Sequence, residues 1–148
     1  MLLNKKCILA EIICGMFRKI VAVVAGLLVF VFIVSVIESL NAKLYPMPVG
    51  IDKANREAIQ AYVNSLPKTA FIILLSGYLI GSFFCGLVMR LITKSDDKMP
   101  AYLAGIGLTT VGIVNFFSIE HPWWVIITGL LIFIPVTLYG YTLIRKKD

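Results

Sequence analysis

The sequence predicts an all-α membrane protein: an antiparallel bundle of four transmembrane helices, with a short amphipathic helix in its longest loop. Three observations carry this expectation. First, 59% of the 148 residues are hydrophobic, 15% are charged, and mean hydropathy is +0.93. Soluble domains run about 45–50% apolar and about 25% charged, and a chain of one domain's length cannot bury so much apolar surface in its own interior. Second, the apolar residues gather in four runs. Third, Lys and Arg cluster between those runs, unequally on alternate sides.

The runs are Ile20–Ile37, Thr69–Ile92, Pro100–Phe117 and Trp123–Ile144, of 18 to 24 residues each. At 1.5 Å per residue such helices cross a hydrocarbon core of about 30 Å. None alternates polar and apolar residues as a barrel strand would. A helix satisfies its own backbone groups in lipid, so it is the spanning form that remains. One four-helix domain therefore covers residues 1–148, with spans at about 18–40, 68–93, 100–118 and 122–144 and an outer loop at 41–67. Ser95, Asp96 and Asp97 supply acceptors before the third helix, and Pro100 and Pro122 suit first turns. Trp123 and Trp124 fit an aromatic belt, as do Tyr102 and Tyr141 at the opposite surface. Pro135 removes one backbone donor inside the fourth run and predicts a kink.

Charge sets the expected orientation. Ten Lys and Arg (residues 5, 6, 18, 19, 90, 94, 98, 145, 146 and 147) fall on one side, and four (43, 53, 56 and 68) on the other. That bias places both termini in the cytoplasm. The net charge of +6 is accounted for by these flanking positions and lipid headgroups. No basic stripe interleaved with aromatics is left over, which argues against nucleic acid. Residues 1–17 read as a cytoplasmic or interfacial extension; Lys5-Lys6 and the short apolar stretch after them resemble a signal peptide, but no A-x-A-like site follows.

Metal and redox chemistry find little support. Cys7 and Cys14, if helical, stand about 10 Å apart, too far to bridge. Cys85 lies in an apolar run, there is no C-x-x-C, and His121 is the single histidine. No cofactor is implied.

In the long loop, Tyr45-Pro46-Met47-Pro48 cannot continue a helix. Asp52 is the expected N-cap of a helix over Lys53–Leu66, with Ala58, Ile59, Tyr62, Val63 and Leu66 on one face. It is expected on the membrane surface or on the bundle.

Two constellations remain. Gly77, Gly81, Ser82 and Gly86 form a small-residue ridge, and Ala22/Gly26 and Ala101/Gly105 repeat the four-residue spacing. Such ridges let helices approach closely in lipid, within a chain or between chains. The second constellation is polar and belongs to the outer layer. Glu38, Asn41 and Tyr45 share a face if helix one persists past Glu38. Asn115, Ser118, Glu120 and His121 reach the same surface from helix three, and Lys68 from helix two. Glu38 is expected to meet headgroups or to pair with Lys68 or His121, Asn115 to bond across helices, and His121 to be a loop residue.

The Glu38-x-x-Asn41 end of helix one, followed by Tyr45-Pro46, and the His121-Pro122-Trp123 turn give a resemblance. From Met16 onward the chain resembles small bacterial integral membrane proteins of four helices, a group without an assigned activity. The resemblance implies the fold and an inner-membrane home, and no catalytic residues. The Ala22–Val34 stretch lacks the mid-helix Glu of small multidrug transporters.

The expected function is therefore non-enzymatic. An accessory or scaffold subunit, meeting lipids and either its own copies or another membrane subunit through Gly77, Gly81, Gly86 and Gly105, ranks first. A small transporter or lipid or small-molecule binder using Glu38, Asn41, Asn115 and His121 ranks second. An enzyme ranks last, because Glu38, Glu120 and His121 have no nucleophile beside them.

Overall fold

The structure is a computed structural model that describes residues 2–48, 50, 55–118 and 121–144, with side chains from residue 13 onward. Among the described residues it holds five helices and no strand: α1 (Leu2–Leu44), α2 (Arg56–Ser65), α3 (Lys68–Thr93), α4 (Met99–Ser118) and α5 (Trp123–Leu143). Four are long and apolar enough to cross a membrane, the first of them over Ile13–Leu44.

The helix ends follow local chemistry. Asp97 Oδ1 accepts from Met99 N, the first N–H of α4, at 3.0 Å, and Ser95 Oγ accepts from Asp97 N at 3.2 Å in the turn before it. Lys94 ends α3 in a left-handed conformation (φ 50°), its N–H returning to Arg90 O. The expected cap at Asp52 is corrected. α2 begins at Arg56, and Asn55 Oδ1 accepts from Glu57 N at 3.1 Å and Ala58 N at 3.2 Å. Asn caps as well as Asp does, and it stands directly before the apolar-periodic residues; Asp52 and Lys53 lie outside the described residues. α5 continues through Pro135.

α1 has 43 residues, about 64 Å of helix, twice what a bilayer core requires. Residues 2–17, expected to be an extension, continue the same helix. Arg18 marks the level at which α1 meets the end of α3, its Nε donating to Ile92 O at 2.8 Å.

The four long helices form a ring in the order α1, α3, α5, α4. Gly26 faces Cys85 and Met89, Gly81 faces Phe30, and Asn41 reaches Ala70, so α1 and α3 run in opposite directions. Phe71 meets Trp124, and Gly86 meets Thr137 and Tyr141, so α3 and α5 run in the same direction. α4 packs on α5 through Gly105 and Ile134. It closes on α1 far less fully than α1 closes on α3.

The closest approach is between α3 and α5. A Cβ on Gly86 would overlap the Thr137 carbonyl oxygen and stand 2.7 Å from Tyr141 N, and one on Gly140 would overlap Phe83 O. Backbone therefore meets backbone in both directions, which only glycine permits. Gly77 and Gly81 lie against α1, where a Cβ would meet Ile37 Cγ2 at 3.2 Å and Phe30 Cδ2 at 2.9 Å. A Cβ on Gly105 would stand 3.1 Å from Ile134 Cα. All five glycines of the expected ridges, Gly26 included, thus contact other helices of this chain. The same ring centres on Tyr78, whose neighbours are Phe133 at 5.4 Å, Phe116 at 6.4 Å and Phe30 at 6.5 Å between centroids.

Candidate functional site

The charged residues of the long helices collect at the two ends of the ring. One end, the basic end, carries Arg18, Lys19, Arg90, Lys94 and Lys98. Arg90 is 6% exposed. Its Nε donates to Ile144 O at 2.8 Å, one terminal nitrogen donates to Ser95 O, and the other meets Asp96 Oδ1 at 2.5 Å. Its guanidinium carbon stands 5.7 Å from the centre of the Tyr141 ring, a cation–π contact. The Tyr141 hydroxyl lies within reach of Asp97 O at 2.7 Å, Thr93 Oγ1 at 2.9 Å and Ser95 O at 3.0 Å. Lys19 pairs with Asp97 at 2.5 Å and ties α1 to the α3–α4 turn. Arg90 thus closes the ends of α3 and α5 over the loop between α3 and α4.

Tyr141 was expected in an aromatic belt, and this is corrected: it is buried, and its hydroxyl serves the loop carbonyls. The sequence pattern counts Arg90 as an orienting charge alone. The signal for a larger role was present, because Arg90 stands two residues inside its apolar run, where an ionisable group needs a partner.

The other end, the loop end, is covered by α2. Val63 is buried, with Ile59, Tyr62 and Leu66 packed against the core. Tyr62 Oη donates to Tyr45 O at 2.5 Å, and Arg56 donates to Phe117 O at 3.1 Å. His121 packs its ring edge-to-face on Phe116 at 5.3 Å and Phe71 at 6.2 Å. Trp124 joins the same cluster, while Trp123 is 74% exposed.

α1 does persist past Glu38, so the conditional face of Glu38, Asn41 and Tyr45 exists. It divides between two neighbours. Asn41 Nδ2 donates to Ala70 O at 3.1 Å, and Tyr45 Oη meets Thr69 Oγ1 at 2.7 Å, both toward α3. Glu38 instead lines a cleft of about 220 Å³ between α1 and α4. Ser35 and Asn115 share this lining, with Phe30, Tyr78 and Phe133 behind them.

One expectation, for Glu38, is narrowed here to its headgroup alternative, and one, for Asn115, is corrected. Glu38 pairs with neither Lys68 nor His121; the ion pairs among the described residues are Lys19–Asp97 and Arg90–Asp96. Asn115 bonds to no other helix, and it is exposed on the cleft wall. Both follow from one cause, the incomplete closure of α4 on α1. Glu120 lies outside the described residues. The four site candidates are therefore not one cluster: Glu38 and Asn115 share the cleft, Asn41 serves the α1–α3 contact, and His121 belongs to the aromatic cap.

Asn41 Oδ1 is buried without a partner, as are Ser82 Oγ and Thr137 Oγ1 in the α3–α5 contact. Among the described residues no three His, Cys, Asp or Glu gather as a metal site would need. Cys85 is buried and Cys14 exposed, both as free thiols.

No family model, curated protein or solved structure matches the chain.

Proposed function

We propose that the chain is a multi-pass protein of the bacterial inner membrane, with both termini cytoplasmic, that acts without catalysis by binding a small amphipathic molecule in the α1–α4 cleft. This is the transporter or lipid/small-molecule reading. The observation that carries it is Glu38. A carboxylate within a span is costly unless paired, and this one lines an open cleft with no partner among the described residues. The glycines that made an accessory subunit attractive contact α1 and α5 of the same chain, so they are not free to receive another.

Native mass spectrometry of the protein released from mild detergent tests the reading. Val111 lines the cleft and is 68% exposed, so Val111→Trp fills the cleft without entering the core. A small-molecule or lipid adduct is expected on the wild type and absent from the variant. An adduct that survives Val111→Trp, or none on either protein, would refute it.

A second reading, an accessory or scaffold subunit, rests on Gly107. Nothing stands within 4 Å of where its Cβ would be, which leaves a notch on the outer face of α4 for another helix. Co-elution of a second membrane protein, lost in Gly107→Leu, would favour it. The topology is checked separately. A cysteine placed at Asn55 should react with an impermeant maleimide applied from outside and one at Asp148 should not, because the ten-to-four bias of Lys and Arg keeps the basic end inside.

A further inference from the structure

Building on the cleft reading, we infer that the ligand is a lipophilic monocation of the ammonium type, a substituted amine with its charge on Glu38 and its apolar part leaving between α1 and α4 into lipid.

Charge is the first ground. Among the described residues of the cleft lining, Glu38 is the one charged side chain, and none is Lys or Arg. An anionic ligand would meet an uncompensated carboxylate. A phospholipid head would bring its phosphate into the same space with no cation to receive it. A divalent metal would find one carboxylate where it needs several oxygen ligands. A single positive charge balances the site.

The wall is the second ground. Phe30, Tyr78 and Phe133 line the cleft and also pack on one another, with Phe30 and Phe133 rings 6.0 Å apart. An aromatic wall beside a carboxylate suits an alkylated ammonium, whose diffuse charge is attracted by ring faces and which loses little hydration on entry. It suits a bare, strongly hydrated ammonium less well. Size is the third ground. The cleft volume of about 220 Å³ is below the usual range of about 300–1,000 Å³ for enclosed ligand sites. It holds a head group and not a whole amphiphile. The remainder must lie along Val31 and Val111, which are exposed at the lining.

The test is equilibrium binding of tritiated benzyltrimethylammonium to the full chain purified in a maltoside, a detergent without ammonium. Neopentylbenzene, its uncharged isostere, and benzenesulfonate are the comparison probes. Saturable one-to-one binding of the cation is expected. Glu38→Gln should weaken it at least tenfold, while thermal stability and elution volume stay those of the wild type. Phe30→Leu should weaken it about threefold to fivefold, the loss of one cation–π partner. Equal binding of the uncharged isostere, or cation binding indifferent to Glu38→Gln, would overturn the assignment to a cation while leaving a ligand cleft in place. A phospholipid that co-purifies in the cleft and is not displaced by the cation would do the same. No binding of any probe, together with an empty wild-type mass spectrum, would overturn both the class and the cleft reading.

Discussion

The two ends of the helix ring solve one problem in opposite ways. Polar groups at the margins of a span must find partners, because each one left unsatisfied in an apolar setting costs a few kcal/mol. At the basic end they find them inside the chain. Arg90 and Tyr141 together reach Ile144 O, Ser95 O, Asp97 O, Thr93 Oγ1 and the Asp96 carboxylate. At the loop end α4 stands off from α1, and Glu38 and Asn115 face the gap between them. Closure follows where backbones can touch: α5 reaches α3 through Gly86 and Gly140, and no pair of that kind joins α1 to α4. Close backbone contact is concentrated on the α3–α5 side, where the Ser82 and Thr137 hydroxyls are also left without partners, and the unpaired Glu38 carboxylate stands on the α1–α4 side.

This contrast predicts the largest effect at Gly86. Gly86→Leu forces α3 from α5, since even a methyl group would overlap the Thr137 carbonyl. Overpacking a well-packed core costs about 1–3 kcal/mol where side chains can yield, and here a backbone would have to move. Folded yield after purification should collapse. Gly77→Ala is the milder counterpart. Its added methyl meets the Ile37 side chain at 3.2 Å, which can give, so the melting temperature should fall by a few degrees at most, for a cost of about 1 kcal/mol. Equal effects at the two glycines would dissolve the distinction between the α3–α5 and α1–α3 contacts.

Next come the two ionisable residues, one from each end. Arg90→Met removes a buried cation from two carbonyls and a carboxylate; hydrogen bonds to charged groups contribute about 1.5–3 kcal/mol each. Thermal unfolding in detergent should show a clear loss. Tyr141→Phe should cost about 0.5–1.5 kcal/mol, because the half-buried loop carbonyls lose the phenol donor. Glu38→Gln, by contrast, should stay within about 0.5 kcal/mol of wild type, as substitutions that break no packing or pairing do. A large loss of stability from Glu38→Gln would make the loop end structural like the basic end, and the comparison would fail.

How legible this was in the sequence differs between the ends for physical reasons. The four spans could be read because hydrocarbon thickness imposes run lengths on any spanning helix, and the observed helices begin and end within a few residues of the apolar runs from Thr69 onward. The small-residue ridge could be read because glycine has few other uses inside a span. Gly140 could be missed because its ridge partner on α5 is not glycine: four residues earlier stands Val136. The polar residues of the loop end were found, but not their grouping. Glu38 and Asn41 are three residues apart, about 60° around a helix, and that angle is enough to send one to α4 and the other to α3. Which neighbour each meets depends on the order of helices in the ring, and no local pattern encodes that order. Tyr141 shows the same limit, since a Tyr near the end of a span reads as a belt residue until the α3–α4 loop is seen folded over it.

The smallest expected effect concerns the tie between α1 and the basic end, and it depends on pH. Asp97 is exposed, and its carboxyl is held below the ordinary value of 3.8, chiefly by the hydrogen bond from Lys19 and then by the one from Met99 N. The folded protein therefore binds the Asp97 proton less tightly than the unfolded chain does. The stabilisation is fully present above the ordinary carboxyl value and is lost as pH falls through the lower folded value. It should be small, because exposed ion pairs contribute little and are screened by salt. Melting curves collected from pH 6 down to the acid limit should show a shallow decline for the wild type below about pH 4. In Lys19→Met that part of the decline should shrink, while Met99 N, the first N–H of α4, continues to hold the carboxylate. The shrinkage should vanish in high salt. If Lys19→Met left the acid limb unchanged at low salt, α1 would be held at the basic end by Arg18 and apolar packing alone, and the lower half of the α1–α4 seam would be as loosely tied as the cleft at the other end.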